Sequence, residues 1–201
     1  LTILRVGVLA LQGDVREHLM ALRSCGADAS TVRTPGELES VDALVLPGGE
    51  STTMSRLIQV FDLETPLRER LAGGMPTLST CAGLILMSRE VLDGRADQIA
   101  LGILDVSVRR NGYGRQVESF EADIRVSPLG VAPFRAVFIR APLIEEAGPD
   151  AEVIASFGDN PVAVAQGPHI GLCFHPEMTN DARLHQLFLE RAAVALEVSA
   201  A

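Results

Sequence analysis

The sequence predicts an α/β fold: a single-domain open mixed sheet, mostly parallel, flanked by helices on both faces in three layers. Three observations carry this expectation. Apolar, β-branched-rich runs alternate with segments of helical period four times over, joined by short connections. A later group of short runs, separated by Gly-Asp-Asn and Gly-Pro turns, reads as a meander of strands. At 201 residues and 47% hydrophobic, the chain can bury one sizeable core, so we read 1–201 as one domain.

Taken in order, Ile3 to Leu11 has the composition of a central parallel strand, and Gln12-Gly13-Asp14 breaks it. Asp14 is placed to cap a helix running to about Cys25, with Val15, Leu19 and Leu22 inward and Arg16 and Glu17 outward. His18 in that helix reads as a surface residue. Ala29 to Arg33 is a second strand, and Thr34-Pro35-Gly36-Glu37 starts a brief helical turn. A third strand, Asp42 to Leu46, ends at Pro47-Gly48-Gly49-Glu50-Ser51-Thr52-Thr53. Two glycines followed by a Ser/Thr cluster leave backbone N–H groups free to face an anion or oxyanion. A plain strand-to-helix turn capped by Ser51 fits that stretch as well.

Helical pieces over Met54 to Val60 and Pro66 to Leu71 lead to Pro76-Thr77-Leu78-Ser79-Thr80-Cys81-Ala82-Gly83. Its left half reads as a buried strand and its right half opens a helix running to Val91. A cysteine at such a turn is the thiol counterpart of a nucleophile elbow; a buried structural cysteine fits equally. Ser79 stands where elbows of the G-x-C-x-G type carry Gly. Loop-like residues follow from Leu92 to Ala100, then strands at Leu104 to Arg109, Val117 to Val126 and Val137 to Arg140. The basic turn between the first two is either a solvated face or a source of a cation for a substrate carboxylate. Strands at Ala151 to Ser156, Pro161 to Gln166 and Ile170 to Phe174 precede His175-Pro176-Glu177. Asp181 leads a long amphipathic helix whose end, about 196–201, is expected to fray.

Composition narrows the chemistry. All 17 basic residues are Arg, so neither a Walker A lysine nor a lysine Schiff base is available. The formal charge of −9 argues against a general affinity for nucleic acid or anionic membrane. No G-x-G-x-x-G follows a strand, which disfavours dinucleotide binding. Three cysteines, Cys25, Cys81 and Cys173, do not make a disulfide scaffold, and a reducing cytoplasm is the expected compartment. Leu1 to Leu11 reads as a strand rather than a signal peptide.

Cys81 and the Gly-Gly loop both fall at the carboxyl edge of the predicted sheet, where open α/β sheets bind ligands. His175-Pro176-Glu177 supplies what a nucleophilic cysteine needs. Pro176 keeps His175 out of the helical region, and in an extended segment residues two apart share a side. Glu177 can then orient the His175 imidazole, which draws the proton from Cys81. A metal site is the weaker rival, because Cys173-Phe174-His175 is too sparse a ligand set; we expect no metal and no cofactor. Cys173 is expected in the core, and His169 and His185 on the surface.

The chain resembles the class I, triad-type glutamine amidotransferases, which have a flavodoxin-like three-layer fold, and within them the glutaminase subunits of pyridoxal 5′-phosphate synthase. The matching blocks are 7–18, from Gly7 through Gln12-Gly13-Asp14 to Glu17-His18; 46–54, with Pro47-Gly48-Gly49-Glu50-Ser51; and 80–86, with Thr80-Cys81-Ala82-Gly83. They continue with Arg110-Asn111-Gly112-Tyr113-Gly114-Arg115-Gln116, Phe138-Ile139-Arg140-Ala141-Pro142 and Phe174-His175-Pro176-Glu177-Met178-Thr179. The first and the Arg-Asn blocks are not shared by amidotransferases in general.

The resemblance implies hydrolysis of L-glutamine to glutamate and ammonia through a thioester on Cys81, with His175 and Glu177 completing the triad. It implies glutamine contacts from Gly49, Glu50, Ser51, Arg110, Ile139 and Arg140, and oxyanion donors near Gly48 or Gly49 and at Ala82. It also implies a partner, a separate (β/α)₈-barrel synthase subunit that receives the ammonia, and an activating interface that includes Gln12, Glu17 and His18. Three readings stand beside it: a glutaminase subunit of another synthase, a peptidase-like cysteine hydrolase, and a catalytically silent partner. Ser79 keeps the last one open, since a Cβ in a tight turn can strain it. The position of His175, far downstream of Cys81 and beside Glu177, argues against the peptidase.

Overall fold

The computed structural model describes residues 3–110, 112 and 119–199. Its centre is a seven-stranded mixed sheet in the spatial order β10-β11-β12-β4-β3-β1-β2. These strands are β1 (Arg5–Leu9), β2 (Asp28–Val32), β3 (Ala43–Leu46), β4 (Thr77–Thr80), β10 (Glu152–Phe157), β11 (Asn160–Gln166) and β12 (His169–Leu172). The five strands from β2 to β12 run parallel, while β11 and β10 add antiparallel pairs at one edge. β3, β4 and β12 are buried along their whole length, which is why they read as continuous apolar or small runs rather than alternating ones.

The helices are α1 (Val15–Ser24), α2 (Pro35–Glu39), α3 (Ser51–Val60), α4 (Glu64–Ala72), α5 (Ala82–Met87) and α6 (Arg183–Ser199). The crossover from β1 to β2 steps one way along the sheet, and those from β2 to β3 and β3 to β4 step the other way. Right-handed crossovers therefore put α1 on one face and α2, α3 and α4 on the other. The packing agrees: α6 lies against α1 and β4, α2 against α4, and α3 against α5. The step reverses beside β1, and the carboxyl ends of β1, β3 and β4 open there into the crevice that such sheets use for ligands.

Two smaller sheets cover the far end. One joins β5 (Ser88–Val91), β6 (Leu104–Arg109) and β9 (Leu143–Ala147); the other pairs β7 (Ser119–Ile124) with β8 (Phe134–Ile139). Phe138 stacks on Phe120 and also meets Phe157 and Phe174, joining the β7–β8 sheet to the central core.

Several boundaries depart from the sequence expectation. The helix after Cys81 ends at Met87, not Val91, because Ser88 is extended and Ser88–Val91 pairs with β6. β9 had no counterpart in the expectation. Val117 and Glu118, the start of the predicted strand 117–126, lie outside the described residues, as do Asn111 and 113–116 of the basic turn. Asp14 occupies the N-cap of α1 without a capping side-chain bond. α3 is capped by the Glu50 carboxylate, which accepts from the N–H groups of Thr52 and Thr53, rather than by Ser51. α6 is helical to Ser199, beyond the expected end near 196. None of the described helices is long and apolar enough to cross a membrane.

The approach of α5 to β3 sets a steric test. A Cβ on Gly83 would stand 2.1 Å from the Leu46 carbonyl oxygen, whereas one on Gly36 meets nothing within 4 Å. Gly83→Ala should destabilise the chain by about 3 kcal/mol, the upper range for overpacking. That corresponds to a Tm lower by roughly 6–12 °C for a domain of this size. Gly36→Ala should stay within about 0.5 kcal/mol of the parent. Thermal unfolding of the two variants checks both.

Candidate active site

The ends of β1, β3, β4 and β12, joined by those of β6 and β8, meet at one cleft of about 380 Å³, lined by Gln12, Gly13, Asp14, Gly49, Glu50, Ser51, Cys81, Ile85, Arg110, Ile139, Arg140 and His175. Cys81 stands between β4 and α5 with φ 49° and ψ −104°. That conformation is unfavourable for any residue with a Cβ and persists only where the surroundings fix it. Here the Cys81 N–H donates to the Leu172 carbonyl at 2.8 Å and its carbonyl accepts from the Ile85 N–H, so strand and helix hold the turn from both sides. Arg140, at the opposite wall of the cleft, also has positive φ, 43°.

Ser79, the off-pattern residue, sits inside β4 two residues before the strained position. It is fully buried, and its Oγ donates to the Ile170 carbonyl of β12 at 3.1 Å. The strand accommodates its Cβ, and the positive φ belongs to Cys81 alone in this stretch.

The candidate base, His175, lies on the segment after β12. The His175 N–H donates to the Val137 carbonyl of β8, which ties this segment down. Residue 175 is extended, but Pro176–Met178 forms a 3₁₀ turn, so the tripeptide is not extended throughout as expected. Pro176 at the first position of that turn starts it without losing a backbone bond. Glu177 nevertheless reaches the ring: its Oε1 is 2.8 Å from His175 Nδ1. The imidazole lies against Gly48, where a Cβ would come within 2.3 Å of its Cε1. That close approach explains the first glycine of the Gly-Gly loop.

Charge is concentrated in this corner. Burial alone would pull the pKa of His175 down. The neighbouring Asp14, Cys81 and Glu177 side chains outweigh burial and raise it far above 6.5. Burial pushes the Glu177 carboxyl up, but His18 and His175 together hold it well below the usual range. Asp14 Oδ2 lies 3.4 Å from the same His175 nitrogen. Asp14, His175 and Glu177 each bring one donor atom within 4.8 Å of the others. Two carboxylates on one imidazole, with Oε1 already on Nδ1, form the arrangement that stabilises an imidazolium, so we assign the group to proton chemistry. His175 Nε2 has no protein hydrogen-bond partner among the described residues, and Cys81 Sγ rests 3.9 Å from the Ile139 carbonyl.

At the other end of the cleft, Arg110 Nη2 pairs with Glu50 Oε1 at 2.9 Å. Burial opposes ionisation of Glu50, but bonds from Thr53 and Thr52 prevail and hold its pKa at about 2. The cleft therefore offers a guanidinium and a carboxylate side by side, a match for the two charged groups of an α-amino acid. Gln12 Oε1 accepts from the Glu50 N–H at 2.7 Å and braces the Gly-Gly loop.

Of the sequence-predicted residues, Cys81, His175, Gly49, Glu50, Ser51, Arg110, Ile139 and Arg140 all line this cleft, with Glu177 directly behind the ring. Gly48 lies under the ring, and Ala82 begins α5 with its N–H among those a helix start leaves without helical partners. Three histidines depart from expectation. His18, His169 and His185 are buried, not on the surface. His18, being fully buried, cannot be a contact residue of a docking face. It follows Asp14 and precedes Leu22 by four residues each, one stripe of α1, and that spacing was the available signal. His185 belongs to the buried stripe of α6 with Phe188, Leu189 and Ala192. Asp14 was expected as a cap and faces His175 instead. Cys173 is buried, and burial drives its thiol pKa up, as a core cysteine requires.

Comparison with known proteins gives the same grouping. The SNO glutamine amidotransferase family profile matches residues 8–194. A protein of Parafrankia sp. (strain EAN1pec) named pyridoxal 5′-phosphate synthase subunit PdxT is 59% identical over 186 residues, 92% of each chain. One of the same name from Mycobacteroides abscessus is 57% identical over 185 residues, 92% of this chain and 95% of that protein. Among solved structures, a glutamine amidotransferase crystal structure aligns with a TM-score of 0.87 and 46% identity, covering 94% of this chain and 98% of the other. A glutamine amidotransferase from Thermotoga maritima aligns at 0.61 with 16% identity, over 97% and 94% of the chains, a likeness of fold alone.

The buried pair sets a pH test. His175, raised above 6.5, contributes stability that is complete below pH 6.5 and is lost as pH rises through its folded value. Glu177, lowered below 4.5, contributes stability that is complete above pH 4.5 and is lost as pH falls through its folded value. Glu177→Gln removes the carboxylate's contribution and weakens that of His175, which keeps Asp14 and Cys81, so the Tm gap between parent and variant should be widest between pH 4.5 and 6.5. A gap that does not change with pH would contradict the ionic pairing.

Proposed function

The chain belongs to the SNO glutamine amidotransferase family, and on that premise we propose that it hydrolyses L-glutamine as the glutaminase subunit of a pyridoxal 5′-phosphate synthase. The observation that carries the reading is the meeting of Cys81, His175 and Glu177 at one end of a cleft whose other end holds Arg110 and Glu50. The relatives' printed names, subunits of that synthase, support the assembly and the product's use.

In this reading the glutamine carboxylate pairs with Arg110 and its ammonium with Glu50. Gly49, Ser51, Ile139 and Arg140 close around the backbone of the substrate. The side-chain amide then points toward Cys81. Sγ, having given its proton to His175 Nε2, attacks the amide carbon and forms the C–S bond. The oxyanion is met by N–H groups of Gly48 or Gly49 and of Ala82, each worth about 3 kcal/mol in acyl-transfer sites. His175 returns the proton to the leaving nitrogen, the C–N bond breaks and ammonia departs. Water, deprotonated by His175, attacks the thioester, releasing glutamate and restoring the thiol. Glu177 holds the imidazole in the tautomer that aims Nε2 at sulfur.

The recipient of the ammonia is a separate synthase subunit, a (β/α)₈ barrel in this reading. The absence of lysine agrees with that division, because imine chemistry must then belong to the other chain. Gln12 and Glu17, at the rim formed by the first loop and the start of α1, are the residues through which docking reaches the cleft. Gln12 already holds the Glu50 N–H, so a partner that moves Gln12 also moves the Gly-Gly loop.

Ammonia release from glutamine should be slow with this chain alone and faster once its synthase subunit is added. Cys81→Ala should lower the rate of the assembled pair by at least about 10³-fold, with complex formation intact by size-exclusion chromatography. Retained turnover would remove Cys81 from its role. Hydrolysis of peptides with none of glutamine would overturn the whole reading.

A further inference from the structure

The triad does not end at Glu177. Its second carboxylate oxygen, Oε2, is buried, has no hydrogen-bond partner among the described residues and lies 3.3 Å from His18 Nε2. The same nitrogen is 3.3 Å from Thr80 Oγ1, on the residue just before Cys81. The other ring nitrogen of His18, Nδ1, is 3.0 Å from Nε2 of His185 on α6. Both rings are fully buried and neither lines the cleft. A packing role alone would be met by two apolar side chains, and two imidazoles cost desolvation that such side chains avoid. Here they form a continuous line from the catalytic pair to α6.

Chemistry fixes the protons along that line. The Thr80 hydroxyl could donate to a bare Nε2 on His18, but a bare Nε2 would also face the accept-only Oε2 at 3.3 Å, which is repulsive; a hydrogen on Nε2 bonds Thr80 Oγ1 and turns the ring's positive edge toward the carboxylate, so we place it there. Burial holds the His185 pKa at about 3 and keeps that ring neutral. With His185 donating from Nε2, its Nδ1 is bare. That nitrogen has no partner among the described residues, and an unpartnered bare nitrogen is easier to bury than an unpartnered N–H.

We infer that His18 and His185 are positioning residues for glutamine hydrolysis: His185 sets the tautomer of His18, and His18, bonded to Thr80, stands its Nε2–H beside the second oxygen of Glu177, so that the carboxylate's charge is shared between two rings. The inference rests on His175 being the acid–base residue of the proposed reaction. Its consequence is mechanistic. Two carboxylates, Asp14 and Glu177, press on His175 and favour the imidazolium, yet that imidazolium must surrender its proton to the leaving nitrogen. Diverting part of the Glu177 charge to His18 eases that step. The titratable groups around His18 are Glu177 and His175 from the segment after β12, His185 from α6, Asp14 before α1 and Cys81 after β4.

Two measurements test this. In the intact protein, ¹⁵N NMR of the histidine side chains should show His18 Nε2 protonated; a bare Nε2 overturns the inference without any substitution. In the complex with the synthase subunit, His18→Leu should lower kcat about ten-fold, the equivalent of one pKa unit. The alkaline limb of its pH profile should move up by about one unit, with KM for glutamine little changed. His185→Gln, which keeps an N–H for His18, should leave the profile in place, and His185→Leu should shift it as His18→Leu does. A lower Tm with an unmoved pH profile makes the two rings merely structural and overturns the inference while leaving the triad standing. Turnover retained by Cys81→Ala would instead overturn the triad itself.

Discussion

The backbone turn at Cys81 is the constraint on which the rest depends. A residue with a Cβ held at φ 49°, ψ −104° exists only because its neighbours leave no alternative. β12 holds it through the Leu172 carbonyl, α5 through the Ile85 N–H, and β3 by lying so close that only glycine fits at 83. Three elements thus converge to place one sulfur at the carboxyl edge of the sheet. The parallel order of β3, β4 and β12 is what brings those three together. The fold and the placement of this thiol are one problem in this chain.

Around that sulfur the structure stores charge out of water. Glu177 has its whole side chain buried, a position tolerable only because His175 and His18 stand on its two oxygens. Removing either ring leaves a buried carboxylate short of a partner, so the cluster is over-determined in the same manner as the turn. The opposite end of the cleft works differently. Glu50 and Arg110 are closer to solvent, and their pairing is one that a zwitterionic substrate can replace at modest cost.

Much of this was legible in the residues. Strand-helix alternation gave the parallel half of the sheet, and the three site-like stretches, each at a strand end, gave Cys81, the Gly-Gly loop and His175. What escaped was information carried by tertiary packing. Ser79 looked like a strain at the turn because the sequence does not say that its hydroxyl would find the Ile170 carbonyl of β12, 91 residues away. Asp14 has the composition of a cap, and only the return of the chain at His175 gives it another partner. The histidines were misjudged for the opposite reason. A lone His in an amphipathic helix is usually solvated, and the mutual satisfaction of His18 and His185 depends on α1 and α6 lying together on one face. The early end of α5 escaped because Ser88–Val91 suits helix or strand locally and pairing with β6 decides between them; β9 likewise depends on its pairing with β6.

The account stands on Cys81 being the one thiol that meets glutamine's amide carbon. Mass spectrometry after exposure to a glutamine analogue with an electrophile in place of the amide tests this directly. The expected result is a single adduct on Cys81, suppressed by excess L-glutamine, with Cys25 and Cys173 unmodified. An adduct on Cys25 or Cys173 with Cys81 untouched, or labelling of Cys81 that glutamine does not suppress, would contradict it.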